Sequence, residues 1–288
     1  MNVPDTRQER FDKALRPEKP FDRFRLAVTV VIVGAVLAAL VTTDAKWERL
    51  PEAPARLWDV LVLMLGSFDP SAIGRALELM WESVAIAWLG TLIAVLISFP
   101  ISFLAAANIS GRRASALARV FLAVPRAIPE IIFAVALIPV FGLGPVAGTV
   151  AIGLSSVGTL GRLSAEIVED CEPGPVEAST AAGANAVQRV RWTVIPQVMP
   201  EIIAFWLYRF EINIRASAVL GVVGAGGIGT MLTQAIQFRE WGQAGVALIV
   251  VVVATIAIDT VSGRVRRRII RGPERGSGRA DAPVRTAN

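Results

Sequence analysis

From Ser83 to Gly111 the sequence reads SVAIAWLGTLIAVLISFPISFLAAANISG, without one charged residue. A helix needs roughly 20 apolar residues to cross the ~30 Å hydrocarbon core of a bilayer, and this stretch exceeds that even with Pro100 notching it. Comparable runs lie on both sides. One precedes it, from Leu26 to Thr43. A third follows from Ser115 to Phe141, holding Pro125, Pro129 and Pro139 together with Arg126 and Glu130. The fourth runs from Val146 to Leu163, the fifth from Glu201 to Val223 and the sixth from Gly242 to Ile258. Hydrophobic residues make up 54% of the chain and charged residues 18%, where a soluble domain carries about a quarter of its residues as charges. A large soluble helical core would need polar faces at helical spacing, and most of these runs have none. The expectation is an all-α polytopic membrane protein with six transmembrane helices.

The remaining sequence sorts around those spans. Residues 1–25 form a polar tail, 26–43 the first span, and 44–82 an extended external linker containing Pro51, Pro54, Pro70 and an amphipathic piece at Leu57–Leu65. Five spans and a loop at 170–196 occupy 83–262, and 263–288 is a basic tail. Of the 29 Lys and Arg residues, twenty-one fall on the side shared by both ends of the chain, against five on the other. Arg126, Arg209 and Arg215 lie within spans. The positive-inside rule then puts both termini of a multi-pass protein in the cytoplasm. That rule also accounts for much of the net charge of +5, so nucleic acid is not the expected partner. One cysteine, Cys171, and no histidine exclude a disulfide framework and argue against a zinc or haem site. No cleavable signal peptide is expected, because the first apolar run lies behind a long charged segment and no small-residue cleavage site follows it.

The loop between the fourth and fifth spans carries the most specific pattern. It reads Glu177-Ala178-Ser179, then Gly183, then Ile195-Pro196. Pro173 and Pro175 suit the start of a short helix, with Glu177 near its positive end. Small residues let such a helix seat closely in a groove, and Gly183 permits a bend or a close approach. This resembles the EAA loop of ABC importer permeases of the binding-protein-dependent type. It departs from that pattern with Ser179 for alanine, Thr193 for isoleucine and Ile195 for leucine, all small or apolar replacements.

Downstream, Arg209-Phe210-Glu211-Ile212-Asn213-Ile214-Arg215-Ala216-Ser217 runs into Leu220-Gly221-Val222-Val223-Gly224-Ala225-Gly226-Gly227-Ile228-Gly229. This is similar to the permeases of phosphonate importers and their relatives for phosphate and phosphite, over about residues 75–265. The resemblance implies a MetI-like ABC permease core with one extra N-terminal helix, working by alternating access. It implies a second permease copy, two ATPase subunits against the loop at 170–196, and an external substrate-binding protein. No cofactor is expected on this chain. A phosphate-cradling loop needs Gly-Lys followed by Ser or Thr, and the three lysines, Lys13, Lys19 and Lys46, lie elsewhere, so ATP and Mg belong to the partner ATPase.

Import of methionine or another small organic solute is the alternative within this class. A motor-free channel or a membrane enzyme is the alternative outside it; the EAA-like loop argues against both, and no polar catalytic cluster is evident. Gly224, Gly226 and Gly229 also satisfy the G-x-G-x-x-G dinucleotide pattern. That motif requires a preceding strand and an acidic residue about twenty positions on, whereas a span precedes it here and Ile249 lies at that distance. The four glycines Gly224, Gly226, Gly227 and Gly229 are read instead as a tight turn on the outer side.

Charges within spans are costly and usually face a bundle interior or a wet cavity. Arg126 and Glu130 are four apart and share a face of a regular helix, although Pro129 lies between them. In the fifth span Arg209, Asn213 and Ser217 form one stripe and Glu211 and Arg215 another. The second stripe is expected to neutralise itself at i, i+4. Arg209 has no acid on its own stripe, so it faces either a watery path or an acid from another helix such as Glu130. Three arginines against two acids leave a slight positive bias, suited to passing an oxyanion without trapping it.

Overall fold

A computed structural model of the chain describes residues 23–43 and 47–271. The tails at 1–22 and 272–288 lie outside the described residues. Two units are distinguished, Met1–Trp58 and Asp59–Asn288. In the first, α1 (Arg23–Thr42) is apolar all round and its described side chains are exposed. A helix with no polar face is suited to lipid rather than water. Helix α2 (Ala53–Gly66) crosses from the first unit into the second.

Among the described residues, seven further long or bent helices build the second unit. A short 3-10 turn at Pro70–Ala72, capped by Asp69, leads into the 33-residue α3 (Ile73–Ala105). The helix therefore begins at Ile73 rather than at Ser83. The segment read as linker up to residue 82 continues the span as helix, because Arg75, Glu78 and Glu82 are compatible with a helix once it leaves the hydrocarbon. Next come α4 (Arg112–Ala127) and α5 (Glu130–Phe141), bent by 84° at the intervening break. Ile128 adopts an extended conformation, as the residue before a proline prefers, so Pro129 divides the third span.

Helix α6 (Pro145–Glu169) is the centre of the unit. Its buried face is made of small residues, including Gly148, Ala151, Ser155, Ser156, Gly158, Gly161 and Ala165. Within a membrane, helices associate by close packing rather than by hydrophobic transfer. A Cβ on Gly90 of α3 would lie 2.8 Å from Ile152 Cγ2, and one on Gly153 would lie 3.0 Å from Ile93 Cγ2, so these helices touch nearly backbone to side chain.

The loop elements α7 (Pro173–Ala181) and α8 (Ala186–Arg189) are followed by a π turn at Val190–Val194. Then α9 (Ile195–Leu220) ends in a 3-10 turn, Gly221–Val223, before α10 (Ile228–Gln237), the two helical parts bending by 40°. The final helix, α11 (Trp241–Arg271), extends well past the apolar run that ends near Ile258. Among the described residues, four helices are long and apolar enough to cross a membrane, or up to six when each bent pair counts as one span. No strand occurs among the described residues.

Candidate functional site

Two regions collect the residues that the sequence singles out. The first is the loop at 170–196. Helix α7 places Glu177 in its middle rather than in its first turn, with Glu177 and Ala178 exposed and Ser179 half-buried. The Ser179 hydroxyl donates to Val176 O at 2.8 Å, so a serine here costs no unsatisfied group. Ala184 N donates to Ser179 O and Gly183 N to Thr180 O, both at 3.0 Å. These two bonds form a Schellman cap, which needs a left-handed residue, and Gly183 supplies it at φ +83°. No atom lies within 4 Å of where its Cβ would be. Gly183 is therefore a backbone requirement of the turn and not a packing contact within this chain. Asn185 then caps α8 in a reciprocal capping box with Gln188. Ile195 is half-buried and Pro196 stands exposed at the start of α9.

The loop is anchored from below. Val176 and Cys171 pack against a core of Ala106, Val168, Val194, Val198 and Ile202, and Glu172 N donates to Gln197 Oε1 at 3.2 Å. Its far side is bare, with Val187 75% and Trp192 71% exposed. Sequence reasoning did not single out either residue. Both are apolar residues in a polar segment, which is the signal that would have found them.

The second region is a cleft of about 330 Å³ lined by Pro125, Arg126, Ile128, Pro129, Glu130, Ser155, Thr159 and Arg209. The break between α4 and α5 opens it. Arg126 and Glu130 lie on opposite sides of that break and form no ion pair among the described residues, so the expected pairing along one helix face does not occur. Arg209 enters from α9 and is held by a relay through three helices. Its Nε donates to Ser156 Oγ at 3.1 Å, Ser156 Oγ donates to Asn213 Oδ1 at 3.2 Å, and Asn213 Nδ2 donates to Thr91 Oγ1 at 2.8 Å. Thr91 Oγ1 donates in turn to Ala87 O at 2.6 Å.

The stripe Arg209–Asn213–Ser217 thus divides. Arg209 lines the cleft, whereas Asn213 and Ser217 are buried between helices, Ser217 donating to Ser83 O at 3.0 Å. Glu211 and Arg215 do not neutralise each other. Glu211 is bound by Arg266 Nη2 at 2.9 and 3.3 Å, and Arg215 reaches Asp259 at 3.4 Å. Both contacts tie α9 to α11. The preference for the nearest partner along one helix is overridden because α11 brings opposite charges against each.

Beside the cleft, and sharing Arg126 with it, lies a cavity of about 290 Å³ lined also by Arg119, Arg162, Glu166 and Glu169. Arg162 pairs with Glu166 at 2.8 Å and Arg119 with Glu169. In the sequence Arg119 and Arg162 are among the twenty-one basic residues on the side of the two chain ends, with nothing else to single them out.

The glycine turn closes the other end of α9. Gly227 N donates to Glu82 Oε1 at 3.0 Å and Ile228 N to Ser83 Oγ at 2.9 Å. Gly226 and Gly227 have φ of +83° and +76°. A Cβ on Gly226 would lie 2.7 Å from Glu82 Oε1, and one on Gly227 would collide with Ser83 Oγ. Gly224 N caps the 3-10 turn by donating to Gly221 O, its carbonyl accepts from Gly144 N at 2.9 Å, and Gly229 packs against Ala218 O of α9. Glu82 and Ser83 form a receptor for this turn that the sequence alone does not reveal.

A bundle of apolar helices, two of them broken, around a cleft lined by the half-buried Glu130 and Arg209 and the exposed Arg126 is the architecture of a multi-pass membrane permease. Residues 98–274 match the family described as binding-protein-dependent transport system inner membrane component, and the chain belongs to that family. HtxC of Stutzerimonas stutzeri, a protein named for phosphite transport, is 33% identical over 201 residues, covering 69% of this chain and 71% of HtxC. The phosphate-import permease protein PhnE of Mycolicibacterium smegmatis is 35% identical over 254 residues, covering 85% of this chain but 46% of that protein. Among solved structures, an inward-facing form of the MetNI methionine ABC transporter superposes with a TM-score of 0.61 at 23% identity, covering 70% of this chain and 99% of that one. That likeness is one of fold.

Proposed function

We propose that this chain is the membrane-spanning permease of an ATP-driven importer for a phosphorus oxyanion of the phosphate, phosphite or phosphonate class. The observation that carries the reading is the cleft at the α4–α5 break, where two guanidinium groups face a single carboxylate. A surplus cation in a low-dielectric surrounding attracts an anion far more than it would in water. The names of the relatives supply the phosphorus chemistry.

In this reading Glu177, Ala178, Ser179, Gly183, Ile195 and Pro196 shape a coupling helix that seats on an ATPase subunit, with Val187 and Trp192 adding apolar contact. The partner binds ATP and Mg; this chain forms the pore and has no ATPase site of its own. Two copies of the permease, two ATPase subunits and an external binding protein complete the complex. The distribution of basic residues supports both termini in the cytoplasm, which sets the loop at 170–196 inside and the glycine turn outside. Arg209, Arg126 and Glu130 flank the path of the anion.

The test is transport by the full chain reconstituted with its ATPase and binding protein, offered phosphate, phosphite, methylphosphonate and methionine in turn. ATP-driven uptake of one of the phosphorus anions is expected. Uptake of methionine alone would replace this reading with that of an organic-solute permease.

A further inference from the structure

We infer that Glu130 sets the charge of the anion accepted by the cleft, tuning it to a singly charged tetrahedral oxyanion; the inference rests on the reading of the chain as a phosphorus oxyanion permease. Arg126 from α4 and Arg209 from α9 bring two positive charges, and Glu130 at the start of α5 brings one negative charge. The remaining walls are uncharged. Helix α6 contributes only the hydroxyls of Ser155 and Thr159, and the Gly221–Val223 turn packed against α5 carries no charge. In the adjoining cavity, Arg162 and Arg119 are each matched by a glutamate. The cleft therefore holds one uncompensated positive charge.

The geometry leaves that charge available. Glu130 makes no ion pair with either arginine among the described residues. Arg209 spends its Nε on Ser156, and among the described residues its two terminal nitrogens make no hydrogen bond. The paired terminal nitrogens of a guanidinium match two oxygens of a phosphorus oxyanion. The Thr159 hydroxyl makes no hydrogen bond among the described residues, and neither do the amides of Glu130 and Ile131 at the positive end of α5. These groups are donors for a third oxygen. A monoanion brings the cleft to neutrality, while a dianion leaves a net negative charge within the membrane-spanning bundle, which is costly.

Inorganic phosphate offers both forms, since its second ionisation lies somewhat above that of its monoesters, which falls near a pH of about 6. The experiment measures ATP-driven phosphate uptake by the assembled importer at about pH 5.5 and about pH 8. The quantity read is the ratio of variant to wild type, so that the binding protein and ATPase cancel. Glu130→Gln adds one positive charge, and its ratio should rise by about tenfold or more from low to high pH, a small share of a unit-charge interaction across a few ångströms. Adding Arg126→Gln to Glu130→Gln restores the original net charge, and the ratio of this double variant should be flat. A structural role of Glu130 predicts a loss at both pH values and no recovery in the double variant. A flat ratio for Glu130→Gln, or a double variant that follows the single one, would overturn the inference while leaving the permease reading standing. If the wild type imports no phosphorus oxyanion at either pH, the permease reading itself fails and the inference falls with it.

Discussion

Arg209 Nε donates to Ser156 Oγ at 3.1 Å, and that hydroxyl is in turn oriented by Asn213, itself fixed to Thr91. One cation on α9 is therefore aimed by α6 and α3, helices that also pack closely on each other. Removing the Ser156 hydroxyl removes a charge-assisted bond worth about 1.5–3 kcal/mol. Ser156→Ala is expected to lower uptake about tenfold. Assembly with the ATPase should be retained, as checked by copurification. Asn213→Leu should do more damage, because it removes both the acceptor for the Ser156 hydroxyl and the donor to Thr91.

At the loop, Gly183 sits at φ +83° with open space where a Cβ would be. Gly183→Val therefore strains the turn by about 1–2 kcal/mol without a clash inside this chain. The expected result is a folded permease whose ATPase no longer responds to the binding protein. Glu177→Lys should uncouple in the same way through charge reversal at the exposed face. Stimulated ATP hydrolysis and full uptake by both variants would remove the coupling assignment.

Glu211 is 5% exposed as a residue and is held by Arg266. Glu211→Ala leaves that half-buried arginine with only its stacking on the Tyr208 ring, and losing a charge-assisted hydrogen bond of this kind costs about 1.5–3 kcal/mol. Thermal unfolding in detergent should shift downward by several degrees, and yield should fall. Transport per assembled complex should hold, because this pair joins α9 to α11 away from the cleft. A selective transport defect with unchanged unfolding would return Glu211 to the path.

The topology is open to labelling in a Cys171→Ser background. Arg239→Cys should react with an impermeant thiol reagent from outside, and Gln188→Cys only after the cytoplasmic face is opened. Reversed accessibility of these two positions would remove the orientation drawn from the basic residues.

The spans were legible because a bilayer imposes a length on apolar sequence, as in Ser83–Gly111. Their ends were not. Helix α3 runs back through Glu82 and Glu78 to Ile73, and α11 runs on to Arg271; outside the hydrocarbon, hydropathy no longer marks where a helix stops. Pro129 announced the break, and Ile128 is extended before it, but the size of the bend, 84°, is not legible in the local sequence. Glu211 and Arg215 were matched to each other because only near neighbours are visible along a sequence. Their partners Arg266 and Asp259 lie over forty positions away. Gly183 was legible for the opposite reason, since its role is a backbone conformation set by its own residue type.

The most direct test is uptake of radiolabelled phosphate by the assembled importer carrying Arg209→Glu, Arg209→Lys, or Arg209→Glu combined with Glu130→Arg. If the anion passes the cleft, charge reversal abolishes uptake while the complex still assembles. The lysine variant then keeps part of the activity, since the charge remains but the guanidinium fork is lost. If Arg209 instead serves as a structural partner of Glu130, Arg209→Glu fails to assemble. Recovery of both assembly and uptake in the charge-swapped variant would contradict the account.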